Sequence, residues 1–248
     1  MFILARHGET PANAARKAGS AESRVQGFSK EMPLAPRGRV QASALGLAAM
    51  RFITKRRVEV ASVHSSDAER ALHTRTKALA AAGLSSMLQE PDVRLRELCK
   101  GNLEGMLRNQ EAYPTDRIRK QQAEDWHFRH GSRESGGESA LEAGLRWLDW
   151  FGDTVHTLPP PADRGSTPAI LAFGHNLVTA YGVYLLTHPE VTASGELPSL
   201  TAANSLKVDN GTALVLTEQA GTWVVDPERI VPTSVELTAA AMSERLGL

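Results

Sequence analysis

Two short apolar runs and one valine-rich run, in which Val58, Val60 and Val63 are apolar, each stop abruptly at residues able to do chemistry. Phe2-Ile3-Leu4-Ala5 runs into Arg6 and His7. Val58 to Val63 runs into His64, Ser65, Ser66 and Asp67, and Ala169 to Phe173 runs into Gly174, His175 and Asn176. Runs of this length, bounded by polar residues and glycine, read as buried strands. Helical spacing lies between them. One helix is expected from Arg39 to about Phe52, with Val40, Ala44, Leu47 and Ala48 on one face. A second runs from Ala68 to Ala82, capped by Ser66 or Asp67 at its start and by Gly83 at its end. From Glu138 to about Leu158, Leu141, Leu145, Trp147, Leu148, Phe151 and Val155 form a broad apolar stripe, suited to a core or a subunit interface. Further helices are expected at 177–186 and 235–246, and a hairpin joins strands at 212–217 and 223–225 around Gly221.

This order predicts an α/β fold: a three-layer α/β/α arrangement, mostly parallel in its sheet, with helices on both faces. Ligands of such sheets bind beyond the C-terminal ends of the strands. His7, Ser65-Ser66 and His175 all sit at such ends, so spacing alone predicts that they share a site. The 248 residues suit one domain, 1–248. Residues 11 to 37, rich in Pro, Gly, Ser and charge, read mainly as loop, and the polar, weakly patterned stretch at about 101–137 reads as an inserted cap.

Lys plus Arg and Asp plus Glu both total 28. That balance points away from a nucleic-acid partner or a polybasic membrane surface, both of which usually leave a basic excess. The lone cysteine, Cys99, forms no intrachain disulfide and fits a reducing compartment. No secretory leader or membrane span is legible, so a cytoplasmic protein is expected. The sequence does not decide the oligomeric state; an oligomer is compatible with it.

Transfer of a phosphoryl group needs fixed cations and N–H donors around its oxygens and a nucleophile in line with the leaving oxygen. Arginine binds such oxygens bidentately and stays charged. Histidine serves as a covalent nucleophile, and a nearby carboxylic acid protonates the leaving alkoxide and then activates water. Arg6, His7, Arg70 and His175 are placed at strand ends or just after them, and Glu97 stands at the start of the insertion.

The run Arg6-His7-Gly8-Glu9-Thr10, followed by Asn13, resembles the signature of the histidine phosphatase (phosphoglycerate-mutase-like) superfamily. The likeness continues through Gln26-Gly27, through Ser65-Ser66-Asp67 with Arg70-Ala71 and Thr74, and through Leu95-Arg96-Glu97 with Gly101 and Glu104-Gly105. Gly137-Glu138-Ser139, Gly174-His175 and Asn210-Gly211 extend it. The resemblance implies that His7 becomes phosphohistidine. Arg6, Arg70 and His175 would bind the phosphoryl oxygens, and Glu97 would act as acid and then base. Asn13, Gln26 and Gly27 would lie close to the phosphate or the rest of a small phosphorylated substrate. No metal or other cofactor is implied. Where the family often has Leu-Thr-x-x-Gly, this chain has Leu34-Ala35-Pro36-Arg37-Gly38, which removes a capping hydroxyl and puts proline early in the helix. Asn176 stands where many members have glycine.

Mutases of the family typically carry Glu-Arg-His-Tyr-Gly after the proton donor and an adjacent arginine pair in the insertion. Here Glu97 is followed by Leu98-Cys99-Lys100-Gly101, and Arg108, Arg117, Arg119, Arg129 and Arg133 include no adjacent pair. Phosphomonoester hydrolysis in the broad-phosphatase manner is therefore favoured over mutase-type transfer. A non-catalytic phospholigand-binding relative is a further alternative, disfavoured because both histidines, both arginines and the carboxylate are all present. His64, His73, His156 and His188 read as structural. Trp126, His127, Phe128, Arg129 and His130 read either as leaving-group contacts or as exposed cap surface, and Cys99 as a small buried residue.

Overall fold

The computed structural model describes residues 1–248 except 30, 88–90, 110–123, 130–135, 195–196, 198 and 248. Strand β1 (Phe2–Arg6) leads to helix α1 (Pro11–Lys17) and then α2 (Pro36–Arg56). Strand β2 (Val58–Ser65) and helix α3 (Glu69–Ala82) follow. After the inserted segment come α4 (Ala140–Val155), β3 (Thr167–Gly174) and α5 (Asn176–Thr187). Short helices α6 (Pro189–Ser194) and α7 (Leu200–Asn204) precede β4 (Ala213–Gln219), β5 (Thr222–Val225) and α8 (Ser234–Leu246).

The five strands form one sheet in the order β2-β3-β1-β4-β5. β1, β2 and β3 are parallel, whereas β4 and β5 run antiparallel to their neighbours. β1 is central, pairing Phe2 with Ile170 on one side and with Leu216 on the other. It is buried along its whole length, which explains why its sequence is apolar without alternation. Its side chains still divide between two cores. Phe2 and Leu4 join Trp147, Trp150, Phe151 and Val183 under α4 and α5. Ile3 and Ala5 join Leu45, Ala48, Phe52 and Leu79 under α2 and α3. Two apolar faces covered by helices make the expected three-layer mixed sheet.

Local chemistry sets the element ends. α2 starts on Pro36 with Ala35 as an N-cap that offers no side-chain bond, as the missing hydroxyl predicts. α3 ends on Gly83 at φ 70°, a left-handed cap that glycine adopts without a Cβ clash. Its start differs from expectation: Ala68 is the N-cap, and Asp67 instead pairs with Arg96. The stretch 11–37, expected to be mainly loop, contains α1. Thr10 and Asn13 form a capping box there and Pro11 takes the first helical position. On α2 the buried positions include Ala42, Ala44, Leu45, Ala48, Ala49, Phe52 and Ile53, with Val40 and Leu47 only partly buried, so the face is rotated from the predicted one.

Only parts of the expected cap at 101–137 fall within the described residues, and His130 lies outside them. Trp126 is 1% exposed and packs on Tyr181 and Tyr184 of α5. It is therefore a core residue and not a leaving-group contact, whereas His127 is exposed. Of the α4 stripe, Trp147 and Phe151 are core, and Leu145 is exposed. Cys99 is half-buried, not buried as expected, and its thiol donates to the Gly136 carbonyl at 3.2 Å. Among the described residues no helix is long and apolar enough to cross a membrane.

Candidate active site

β1 and β3 end side by side, with Arg6 opposite Gly174, so His7 and His175 leave the sheet as neighbours. Their ring centroids are 5.2 Å apart. β2 ends next to them, with Ser65 opposite Phe173, and α3 then carries Arg70 into the same space. The three strand ends picked out by spacing in the sequence thus lie side by side.

His7 is buried, and its Nδ1 lies 2.7 Å from the Gly8 carbonyl oxygen. A carbonyl only accepts, so Nδ1 carries the proton and Nε2 keeps its lone pair. Burial, with the charges of Arg70 and Arg6 beside it, holds the imidazole pKa well below its ordinary value. The ring is therefore held in its neutral form, with the Nε2 lone pair free of a proton. The loop that carries it is fixed at several points. Gly8 N–H donates to Thr74 Oγ1 at 2.9 Å, and Asn210 Nδ2 donates to the His7 carbonyl at 3.0 Å. A Cβ on Gly8 would stand 2.2 Å from the Gly38 carbonyl oxygen, so this turn presses directly against the first turn of α2.

The two arginines are buried and aimed by backbone carbonyls. Arg6 donates from one terminal nitrogen to Val208 O at 2.8 Å. Arg70 donates to Gly27 O at 2.8 Å and to Ser29 O at 2.9 Å. Burial pushes Arg6 down to about 10 and also lowers Arg70. His175 Nε2 lies 2.9 Å from Ser66 Oγ. Burial, followed by the charge of Arg70, depresses its pKa as well. Of the buried side-chain nitrogens left without a hydrogen-bond partner, three belong to the residues gathered here: Arg6 Nε, Arg70 Nε and His175 Nδ1. Orphaned buried donors are rare in folded proteins, and a group of them beside one histidine marks a place for an acceptor-rich ligand.

Glu97 faces the same cleft. Its Oε1 accepts from Leu98 N–H at 2.9 Å and Val178 N–H at 3.1 Å, and its Oε2 from Asn176 and Leu177 N–H at 3.2 Å each. The carboxylate thus sits on the N-terminus of α5, where helix amides favour an anion. Asn176 spends its side chain elsewhere: its Oδ1 accepts from Val208 N–H at 2.9 Å.

Asn13 and Gln26 line the cleft, but they are tied to each other. Asn13 Nδ2 donates to Gln26 Oε1 at 2.9 Å, and Gln26 Nε2 donates to Thr10 Oγ1 at 2.6 Å. Gly27 acts at one remove, through the carbonyl that holds Arg70. Glu104 fastens this loop by accepting from Phe28 and Ser29 N–H at 2.6 and 2.7 Å. The cleft holds about 460 Å³ and continues past the histidines to Arg16, Arg24, Lys100, Arg108 and Lys207. Sequence reasoning missed this outer set, because its members come from distant segments with no common spacing. No group of three or more metal-ligating side chains occurs among the described residues.

Comparison with known proteins gives a family and a shared fold. The model of the histidine phosphatase superfamily (branch 1) matches residues 2–225. The native mycobacterial glucosyl-3-phosphoglycerate phosphatase is similar over 94% of this chain and 98% of its own, at 25% identity and a TM-score of 0.68. A Bacillus anthracis phosphoglycerate mutase shares the fold at 18% identity and a TM-score of 0.62, over 96% of this chain and 95% of its own. An Escherichia coli protein described as a putative alpha-ribazole-5'-P phosphatase does so at 20% and 0.61, over 94% and 95%. A comparison with curated protein sequences gives no match. With a whole-sheet match to the family model and both histidines at paired strand ends, the chain belongs to the histidine phosphatase superfamily, branch 1.

Proposed function

We propose that this phosphatase hydrolyses small phosphomonoesters through a phosphohistidine on Nε2 of His7. Phosphatase activity is supported by the family and by the likeness to glucosyl-3-phosphoglycerate phosphatase. The observation that supports the route is the set of three orphaned N–H or ring-nitrogen groups on Arg6, Arg70 and His175, gathered around a neutral, pre-oriented imidazole.

In the first step the His7 Nε2 lone pair attacks phosphorus and the bond to the leaving oxygen breaks. The two guanidinium groups and His175 neutralise the equatorial oxygens. Glu97 gives its proton to the leaving alkoxide. In the second step water attacks the phosphohistidine, its proton passes to Glu97, and inorganic phosphate leaves with His7 restored. The residues thus supply nucleophile, charge and proton in one cleft.

Rapid quenching of a reaction with 32P-labelled monoester tests this route. Acid-labile protein-bound phosphate should form in the wild type and be absent in His7→Ala, with inorganic phosphate released in parallel. Interconversion of 2- and 3-phosphoglycerate without phosphate release would instead establish mutase chemistry. Equal, slow hydrolysis by wild type and His7→Ala would leave a binding protein without catalysis.

A further inference from the structure

The loop that carries Glu97 has little regular structure of its own. After a single turn at Val93–Leu95, the backbone from Arg96 to Lys100 forms neither helix nor strand. Leu95 and Leu98 are buried in the core on either side of Glu97 and press the loop onto it. Backbone groups packed against a core need hydrogen-bond partners. Here they cannot come from a ladder.

They come from two residues that the proposed hydrolysis leaves unused. Ser139 starts α4: its side chain accepts from Glu142 N–H at 3.2 Å, and Glu142 accepts from Ser139 N–H at 2.9 Å. About two turns along that helix, Arg146 comes back over Glu138. Its Nε donates to Glu138 Oε1 at 2.8 Å and its Nη2 to Oε2 at 2.9 Å, a bidentate pair. Its Nη1 donates to Arg94 O at 2.6 Å and to Arg96 O at 3.1 Å, and Nη2 also reaches Glu97 O at 3.5 Å. The rigid guanidinium fork is thus fully engaged, on Glu138 and on three successive stations of the Glu97 loop. Glu138 completes the grip. Its Oε2 accepts from Cys99 N–H at 3.0 Å, and its own N–H donates to Cys99 O at 3.0 Å.

Glu97 is therefore held from two helices. Amides at the start of α5 hold its carboxylate, and α4 holds the backbone beneath it from Arg94 to Cys99. The amides fix one end of the side chain and the clamp fixes the other, so the carboxyl group is presented in one direction. Proton transfer is sensitive to that placement: an error of about 1 Å can cost about 10²-fold in rate. Neither Arg146 nor Glu138 lines the cleft, so both act through Glu97.

We propose that Arg146 and Glu138 are positioning residues for leaving-group protonation, holding the Glu97 loop so that its carboxyl group meets the leaving oxygen. The inference rests on Glu97 being the acid of the proposed hydrolysis. It gives a role to Glu138 of the Gly137-Glu138-Ser139 motif, and to Arg146, which no motif singled out.

A leaving-group series reads this role. Steady-state phosphate release gives kcat/KM for aryl phosphates of similar size and rising phenol basicity, from p-nitrophenyl to p-methoxyphenyl phosphate. The first leaving group departs unprotonated, whereas the second needs the acid. Arg146→Lys keeps the charge and loses the fork, and Glu138→Gln keeps the bulk and breaks the bidentate pair. In both, the p-nitrophenyl to p-methoxyphenyl ratio of kcat/KM should rise at least about fivefold over wild type, in the same direction as in Glu97→Gln. The Arg146 guanidinium carbon also lies 5.4 Å from the centre of the Phe28 ring, next to the Gly27 carbonyl that aims Arg70. A loss common to all substrates can arise there, but it cancels in the ratio. Thermal unfolding of each variant runs alongside, and Glu138→Gln carries the test alone should Arg146→Lys not fold. A pair that only stabilises the fold would lower Tm and leave the ratio within about twofold of wild type, which overturns the inference. If the ratio rises in Glu97→Gln and in neither clamp variant, the positioning role fails and the acid stands. If it stays flat in Glu97→Gln as well, the assignment of Glu97 as the acid falls with it.

Discussion

The carboxylate of Glu97 accepts the backbone N–H of Asn176, at 3.2 Å, at the start of the helix that follows His175. The proposed proton donor and the second histidine are therefore held by one helix N-terminus, although 77 residues of sequence lie between Glu97 and His175. A displacement of α5 moves both together, which keeps the leaving-group side of the cleft in register with the phosphoryl side.

Glu97→Gln removes the proton without removing the side chain's bulk. With an alkyl monoester, kcat should fall by about 10²–10⁴-fold. With p-nitrophenyl phosphate, whose leaving group departs unprotonated, the loss should be much smaller. Steady-state phosphate release from both substrates gives the comparison, and equal losses would show that Glu97 is not the acid.

Arg70→Lys keeps the charge but not the fork that spans Gly27 O and Ser29 O. Loss of charge-assisted hydrogen bonds worth about 1.5–3 kcal/mol should lower kcat/KM by roughly 10–100-fold. Thermal denaturation run alongside distinguishes this from unfolding.

The pH dependence follows from the depressed pKa values of His7 and His175. Both stay neutral in the fold when free histidine would be half-charged, so attack by His7 should persist through pH 6.5 with no inflection in kcat/KM there. Stability should behave differently. Below about pH 6.5 the unfolded chain binds protons that these rings refuse, so the unfolding free energy decreases as pH falls, by up to about 1.4 kcal/mol per pH unit for each ring. Denaturant unfolding between pH 7.5 and 5.5 measures the slope, which should be shallower in His7→Asn.

Gly8→Ala should be severe for a steric reason alone. The added methyl meets the Gly38 carbonyl oxygen at 2.2 Å, backbone against backbone, and no rotamer relieves it. A cost of about 1–3 kcal/mol or more is expected, with a Tm lower by several degrees. An unchanged Tm would mean that the Gly8 and Gly38 turns separate at little cost.

Trp126→Ala separates core from recognition. The ring is buried on Tyr181 and Tyr184; it does not itself line the cleft, although Tyr181 does. Its removal should cost about 3–5 kcal/mol of stability. KM for any hydrolysed monoester should shift little at a temperature where the variant is folded; a large rise in KM would restore a substrate-contacting role.

The centre of the sheet was legible because β1 and the second half of β3 are apolar runs ending in polar residues, as parallel strands buried on both faces must read. β2 is interrupted by Glu59 and Ser62 and only partly buried, so it was legible from its valines and from the polar residues that close it. Helix α1 was harder. Its Thr10-Pro11 start carries a cap and a helix-opening proline, but the Pro, Gly, Ser and charge around it suggest loop by composition. Trp126 misled because its neighbours are polar, and only the fold brings Tyr181 and Tyr184 beneath it. The outer cations left no pattern at all, since convergence of Arg16, Arg108 and Lys207 is a property of the folded chain and of no local stretch.

The central position of β1 also bears on synthesis. This strand leaves the ribosome before either neighbour exists, since Phe2 waits for Ile170 and then for Leu216. A nascent chain therefore carries His7 for most of its translation with no cleft around it. Such long-range pairing closes late and slowly. The proposed nucleophile is made early and armed last, so an interrupted polypeptide that stops before β4 should be inert towards the cell's phosphate esters.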